Sequence, residues 1–385
     1  MTQSHKRPPF ECVALLLQGG GALGAYQGGV YQALSEAHIH PDWVAGISVG
    51  SINAAIIAGN APEARLDKLN GFWESITSAP LLDAMSFFGR FAIEGDEGRK
   101  LFNQVSAALA LTVGVSGFFK PRIPSPLFQL SGSPGATSYY DTDSLVGTLE
   151  RFVDFDRINA GDTRLSAGAV NVRTGNFVYF DSTIQKIAPK HILASAALPP
   201  GLPAIEIDGE HYWDGGLVSN TPLQWVLQYG PRRDTLAFEV DLWSARGRFP
   251  RNMMEVATRE KEIQFSSRTR DNTDRFGDIQ RIRHAVAKLI DELPSEIKDR
   301  AGIASLNSFA DHKVYNIVHL IYRTKEYEGD SKDYEFSELS MMDHWKAGYH
   351  DTVRTLRHPE ALQRPKNNEG LAIFDFNQYG NDARA

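Results

Sequence analysis

The chain contains a single cysteine, Cys12, among its 385 residues. One thiol cannot form an intrachain disulfide, which excludes a small fold held together by disulfides. Because Cys12 lies in an apolar segment, we expect it to be buried and unreactive. The sequence shows neither a Cys and His cluster with zinc-ligand spacing nor an acidic loop with calcium-ligand spacing, so we expect no metal site and no cofactor.

Long apolar runs are also absent. A membrane-spanning helix needs about 18 or more consecutive apolar residues. The nearest segment, VSAALALTVGVSGFF over residues 105–119, is interrupted by Ser, Thr and Gly. The first residues, MTQSHKRPPFE, lack the apolar stretch of a signal peptide. We therefore expect a cytoplasmic protein that contacts a membrane surface transiently, if at all.

Basic residues are in the minority, since 40 Lys and Arg residues stand against 47 Asp and Glu residues and give a net charge of -7. An acidic chain is a poor ligand for a phosphate backbone, so nucleic-acid binding is not expected. Attraction to anionic membranes is weak for the same reason. The hydrophobic content of 42% suffices for a large core.

Glycine, in contrast, is abundant and clusters in GGGALG over residues 19–24. Residues 13–17, before the cluster, have the pattern of a buried strand, and the residues from Leu23 onward have helical spacing. Backbone N–H groups at a helix start favour a phosphate, or the oxyanion of an ester under attack. The sequence therefore predicts an anion-binding loop here.

Two alternatives exist for this loop. Gly19, Gly21 and Gly24 fit the GxGxxG spacing of a dinucleotide site, and Asp42 lies near the distance of the acidic ribose ligand. Asp42 precedes the second predicted strand rather than ending it, however, and a dinucleotide site leaves Ser48 without a role. The other alternative is a purely structural turn.

The segment GISVG around Ser48 has the form of a nucleophile elbow. A serine nucleophile needs a sharp turn between a strand and a helix, and Gly46 and Gly50 leave room for that bend. The apolar residues 43–45 precede it, and SINAAIIAGN, rich in helix formers, follows it. The context thus predicts strand, elbow and helix.

A third motif, WDGG, places Asp214 directly before two glycines. Taken in order, GGGxxG, GxSxG and DGG resemble the patatin-like phospholipase family over residues 13–227. The segment ILASAALPPGLPAIEIDGEHYWDGG resembles the family's helix, proline-rich turn and hairpin before its catalytic aspartate. A hairpin around residues 208–209 is expected to present Asp214.

The resemblance implies a three-layer α/β fold, with a mainly parallel central sheet between helices, and a Ser-Asp dyad that needs no histidine. Ser48 is the implied nucleophile and Asp214 the implied general base. The implied oxyanion hole uses the backbone N–H groups of Gly20 and Gly21, joined by that of Gly19 or Val49. The supporting glycines of the three motifs are Gly24, Gly46, Gly50, Gly215 and Gly216. Many members carry Arg or Lys inside the glycine loop, where this chain has Ala22 and Leu23.

A Ser-His-Asp triad is an alternative, because it is the commoner arrangement. His191 and His211 precede Asp214, whereas His284 and His319 follow it, as the usual order requires. We expect each of these histidines to be a surface residue or a satisfied core residue.

The predicted activity is hydrolysis of a carboxylic ester of a phospholipid or lysophospholipid through an acyl-enzyme. An acyltransferase would use the same dyad with an acceptor other than water. A non-catalytic scaffold or binding protein is a rival of a different class.

We expect a catalytic domain over residues 12–250. Residues 78–140 form an insertion, either a mobile lid or acyl-chain lining or a buried helix plus loop. Its aromatic pairs, residues 87–88 and 118–119, are candidate apolar contacts at a lipid surface. Residues 251–385 are expected to be a mainly helical extension packed on the core, with residues 314–323 adding a strand to its sheet. Whether the extension binds a partner or a second copy stays open.

Overall fold

The structure of the chain is a computed structural model. It describes residues 7–77, 95–229, 232–298, 301–325, 327–367 and 369–376. The aromatic pair at residues 87–88 and the first part of the predicted insertion lie outside the described residues.

One mixed sheet organises this part of the chain. Its strands are β1 (Cys12–Leu17), β2 (Trp43–Ile47), β5 (Arg164–Asn171), β6 (Phe177–Asp181), β7 (Ile205–Ile207), β8 (Glu210–Asp214), β9 (Thr235–Asp241), β10 (Tyr315–Ile321) and β11 (Leu371–Phe374). The order is β11-β10-β9-β1-β2-β5-β8-β7, with β6 also paired to β5. Neighbours from β11 to β5 run parallel, whereas β6, β7 and β8 pair antiparallel. A separate short ladder joins β3 (Lys120–Pro121) to β4 (Tyr140–Asp141).

Helices cover both faces of the sheet. They are α1 (Ala25–Glu36), α2 (Val49–Ala58), α3 (Pro62–Thr77), α4 (Gly95–Val113), α5 (Asp143–Phe152), α6 (Phe155–Ala160), α7 (Pro189–Ser195), α8 (Met253–Glu292), α9 (Ser295–Lys298), α10 (Ala301–Phe309) and α11 (Glu338–Thr355). A 3-10 turn over Gly21–Gly24 precedes α1.

Strand β1 shows why the fold has three layers. Its side chains alternate, so that Val13 and Leu15 join the larger core and Ala14 and Leu16 join the smaller one on the opposite face. A strand buried on both faces reads as a continuous apolar run, as CVALLL does. The predicted α/β fold with a mainly parallel sheet is confirmed.

The C-terminal residues extend the same sheet. Strand β10 pairs parallel with β9, with Tyr315 opposite Thr235, and β11 pairs parallel with β10. The expected strand within residues 314–323 is therefore present in the core sheet. Helix α11 packs against α1 at close range, because a Cβ atom on Gly29 would lie 1.9 Å from the Trp345 carbonyl oxygen.

The second aromatic pair of the insertion is buried, which corrects its expected role as a surface contact. Phe118 packs on Phe336, with ring centroids 5.8 Å apart, and Phe119 packs on Tyr140 at 4.9 Å. Both side chains belong to the larger hydrophobic core. Within the described residues, no helix has the length and apolarity needed to cross a bilayer.

Candidate active site

The three sequence motifs meet at one edge of the sheet. Strands β1 and β2 are parallel neighbours, so the glycine loop and Ser48, which follow their carboxyl ends, lie side by side. A Cβ atom built on Gly19 would fall 2.9 Å from the Cβ atom of Ser48. Strand β8 runs the other way beside β5, where Asp214 pairs with Ala169.

Ser48 occupies a strained turn between β2 and α2. Its φ of 55° and ψ of -130° lie outside the regions that a serine favours, at a cost of about 1–3 kcal/mol. A Cβ atom on Gly46 would lie 2.2 Å from the Gly50 carbonyl oxygen, and one on Gly50 would lie 2.2 Å from the Leu17 carbonyl oxygen. The turn therefore requires glycine at both positions, and the Ser48 N–H anchors it by donating to the Ser195 carbonyl at 3.1 Å.

Asp214 is buried beside this serine. Its side chain is 1% exposed and accepts hydrogen bonds from the Ser48 hydroxyl and, at 2.7 Å, from the Gly216 N–H. Burial raises the pKa of the Asp214 carboxyl to about 7, and the two hydrogen bonds oppose that rise. Gly215 allows the close approach to β5, since a Cβ atom there would lie 2.7 Å from the Gly168 carbonyl oxygen.

The glycine loop is held by its first carbonyl. The Gly19 carbonyl accepts from Asn220 Nδ2 at 3.0 Å and from Trp243 Nε1 at 2.9 Å. Because a trans peptide directs its C=O and N–H in opposite directions, these two donors turn the Gly20 N–H away from themselves. Among the described residues, no protein group accepts the N–H of Gly20 or Gly21. Both N–H groups are thus available to an anionic ligand.

The start of the loop's 3-10 turn is braced from the C-terminal half of the chain. The Ala22 N–H donates to the Asp333 carbonyl at 2.8 Å. Gly21 has a φ of +55°, and a Cβ atom there would lie 2.0 Å from the same carbonyl oxygen, so this position also requires glycine. Asp333 in turn pairs with Lys261 of α8 at 2.9 Å.

Sequence reasoning missed Asn220, Trp243 and Asp333. Asn220 stands in the turn-rich segment after the DGG motif, and Trp243 directly follows the β9 strand pattern. The local sequence at either position does not predict a contact with Gly19. That contact depends on the order of the strands, which local patterns do not specify. Asp333 had no local signal at all.

The histidine alternatives do not reach the Ser48–Asp214 pair. The groups that act on the Asp214 carboxyl are Ser48 and Gly216. His211 points to solvent from β8, and His191 accepts the N–H of Ala188 through Nδ1 at 2.9 Å. His284 lies 3.3 Å from the Asp311 carbonyl, and His319 contacts Glu239.

The dinucleotide alternative fails on position. Asp42 precedes β2 and accepts the N–H of Val13, near the start of β1, at 2.8 Å. Its carboxylate therefore lies at the amino edge of the sheet, opposite the glycine loop. An acidic ribose ligand is expected at the carboxyl edge.

Two family models match the chain. A family model described as patatin-like phospholipase matches residues 15–227, and a second, described as patatin phospholipase, matches residues 263–368. The chain is similar to the crystal structure of VipD from Legionella pneumophila, with 16% identity, a TM-score of 0.38, and coverage of 97% of this chain and 77% of that one. It is also similar to the ExoU–SpcU complex of the Pseudomonas aeruginosa type III secretion system, with 17% identity, a TM-score of 0.29, and coverage of 95% and 74%. Among curated proteins, none matches significantly.

Proposed function

The chain belongs to the patatin-like phospholipase family, which supports a lipid hydrolase, and we propose that it cleaves carboxylic esters of phospholipids or lysophospholipids through Ser48 and Asp214. The observation that carries the proposal is the contact between a serine on a strained strand-to-helix turn and a buried carboxylate. A half-buried Ser48 beside a fully buried Asp214 leaves the hydroxyl accessible while the base is shielded from water.

The proposed reaction begins when Asp214 takes the proton of the Ser48 hydroxyl as the oxygen attacks the ester carbonyl carbon. The N–H groups of Gly20 and Gly21, joined by that of Gly19 or Val49, stabilise the resulting oxyanion; one such donor is worth about 3–4 kcal/mol in other enzymes. Collapse breaks the ester bond, and the leaving alcohol takes the proton from Asp214. Water then attacks the acyl-serine while Asp214 takes its proton, and the fatty acid is released as the Ser48 oxygen regains that proton from Asp214.

The raised pKa suits Asp214 to this role. A general base works best when its pKa lies near the working pH, because it is then ionised and still basic. An ordinary aspartate, with a pKa of about 3.9, is a weak base for a hydroxyl. With a pKa of about 7, Asp214 supplies a stronger base at neutral pH.

An exposed apolar patch supports contact with a lipid surface. Ile123, Leu127, Phe128 and Leu130 are exposed by 93%, 78%, 84% and 84%. They follow α4 within the insertion, where they are far more exposed than the buried aromatic pair at residues 118–119. Such patches mark interaction sites rather than folding contacts. Transient docking of this patch would bring an ester from a membrane to the site.

We also infer that the N-terminal and C-terminal parts of the chain have different roles. Residues 12–250 contain the nucleophile, the base and the glycine loop, whereas residues 251–385 brace them. The brace is supported by the bond from Ala22 to Asp333 and by the pairing of β10 with β9.

The proposal is tested by mass spectrometry of mixed phospholipid and lysophospholipid vesicles treated with wild type, Ser48→Ala and Asp214→Asn. Free fatty acid should appear with wild type and disappear with both variants. Asp351→Asn is a matched control, because Asp351 also accepts a hydroxyl, that of Tyr26 at 3.0 Å, but lies on α11. It should release fatty acid as wild type does.

The same assay separates the rivals. Acylated alcohol in place of fatty acid, when glycerol is added, would identify an acyltransferase. If wild type releases no product and a fluorophosphonate fails to label Ser48, the enzyme proposal is wrong and a scaffold is favoured.

A further inference from the structure

Two adjacent strands bring three potential metal ligands together on the sheet face that α8 covers. Glu239 and Asp241 alternate along β9 and so point to the same face, and His319 of β10 lies opposite Glu239 in register. His319 Nδ1 is 3.3 Å from Glu239 Oε2 and 3.6 Å from Asp241 Oδ2. One ligand atom from each residue lies within 4.8 Å of the other two.

These polar atoms lack the hydrogen bonds that burial demands. Glu239 is 0% exposed and Asp241 2% exposed. Among the described residues, both Glu239 carboxylate oxygens, Asp241 Oδ1 and His319 Nδ1 are without a hydrogen-bond partner. The charges that act on Glu239 are those of Asp241 and His319. A buried carboxylate oxygen without a donor is costly, so these oxygens call for a further ligand.

The spacing fits a metal ion. Ligand atoms about 2.1 Å from a tetrahedral zinc ion lie about 3.4 Å from one another, close to the two distances measured from His319 Nδ1. One imidazole with two carboxylates is a zinc-type ligand set, whereas calcium and magnesium prefer oxygen ligands alone. Asp241 and His319 also line an open groove, shared with Asp375, which gives an ion access.

We propose that Glu239, Asp241 and His319 bind a zinc ion. The ion joins the ends of β9 and β10 and neutralises the two buried carboxylates. Trp243, which binds the Gly19 carbonyl, follows Asp241 by two positions. The ion therefore also fixes the segment that orients the glycine loop.

Local spacing in the sequence gives no sign of this metal site. Glu239 and Asp241 are an ordinary alternating strand pair, and His319 comes from a strand far along the chain. Strand pairing brings them together, and this pairing has no local signature.

The test uses the full-length chain, stripped with EDTA and then dialysed against zinc chloride and desalted. Inductively coupled plasma mass spectrometry should find about one zinc per chain. Zinc should also raise the melting temperature of the stripped protein, because an ion that binds only the folded state stabilises it. Glu239→Gln and His319→Gln should each weaken zinc binding by at least about 100-fold.

His344→Gln is the matched control. His344 is also a buried histidine paired with a carboxylate, with Nε2 2.8 Å from Glu328 Oε1, but it belongs to no three-ligand group among the described residues. It should bind zinc as wild type does. The proposal is wrong if wild type takes up no zinc and its melting temperature does not respond, or if His319→Gln retains as much zinc as His344→Gln. The wild-type measurement decides the matter even where a variant fails to fold.

Discussion

Asp214 of β8 and Glu239 of β9 are buried acids of the same sheet, but different groups surround their carboxylates. Asp214 accepts from Ser48 and Gly216, whereas the oxygens of Glu239 accept from no group among the described residues. Burial is the largest cause that raises the pKa of both carboxyls. A raised pKa therefore shows only that an acid is buried. The groups that contact its carboxyl indicate its function. A buried acid that accepts a hydroxyl on a strained turn, as Asp214 does, is suited to be a base. A buried acid beside a histidine and a second carboxylate, as Glu239 is, is suited to bind a cation.

Removing the base should give the largest effect. Asp214→Asn keeps the shape of the side chain but cannot accept a proton, so we expect kcat/KM for ester hydrolysis to fall by at least about 1,000-fold. Steady-state kinetics on a short-chain fluorogenic ester measures the loss without the complication of a lipid surface.

Asp351→Asn tests whether burial of a carboxyl alone explains such a loss. Burial raises the pKa of the Asp351 carboxyl as well, and Asp351 accepts the Tyr26 hydroxyl. If the chemistry depends on the Ser48 contact rather than on burial, this variant should stay within about threefold of wild type. Equal losses in both variants would show that the comparison is wrong.

The pH dependence should be the next largest effect. Asp214 acts as a base only when ionised, and its pKa is about 7. Below that pH, kcat/KM should fall about tenfold per pH unit, so that about 1% of the activity remains near pH 5. A profile that stays level down to about pH 5 would contradict the role of Asp214 as the base.

Much of the site was predictable from sequence because its parts are local. The turn at Ser48 depends on glycines two residues away on either side, and the hairpin before Asp214 depends on Asp208 and Gly209, which both have positive φ. These local signals, together with the motif order, led to the correct family and fold class. The catalytic roles of Ser48 and Asp214 stay predictions that the experiments above test.

The contacts that support the site were not predictable. Trp243 reaches Gly19 because β9 pairs with β1, and Asp333 reaches Ala22 because α8 holds its loop in place. Both depend on the order of strands and on packing between distant segments. The cluster at Glu239 was missed for the same reason.

The orientation of the glycine loop should give a smaller effect. Trp243→Phe removes the Nε1 donor to the Gly19 carbonyl, so the Gly20 N–H loses one of the two bonds that fix its direction. We expect kcat to fall by about tenfold, while KM stays within about twofold of wild type. This loss in kcat is smaller than the loss on removal of an oxyanion-hole donor.

Trp345→Phe is the control for this change, because Trp345 Nε1 donates to Gln32 at 2.7 Å, between α11 and α1. It should lower the melting temperature without lowering kcat. A comparable fall in kcat would mean that lost packing, not loop orientation, explains the result for Trp243.

The smallest effect is expected at the brace from the C-terminal half. Lys261→Gln removes the ion pair with Asp333, whose carbonyl accepts the Ala22 N–H. A partly exposed ion pair contributes about 0.5–1 kcal/mol, so we expect kcat to fall by about twofold. The loss should shrink at high salt if it is electrostatic, and an unchanged kcat at low salt would show that the brace does not affect the loop.

The most direct test of the Ser48–Asp214 pair is the rate of fluorophosphonate labelling from about pH 5 to about pH 9, with the modified residue located by peptide mass spectrometry. We predict that wild type is labelled at Ser48 with a rate that rises through a midpoint near pH 7, since the reagent needs the ionised base. Asp214→Asn should be labelled at least about 100-fold more slowly, without that midpoint. Labelling at another residue, or labelling of Ser48 that does not depend on Asp214, would contradict the account.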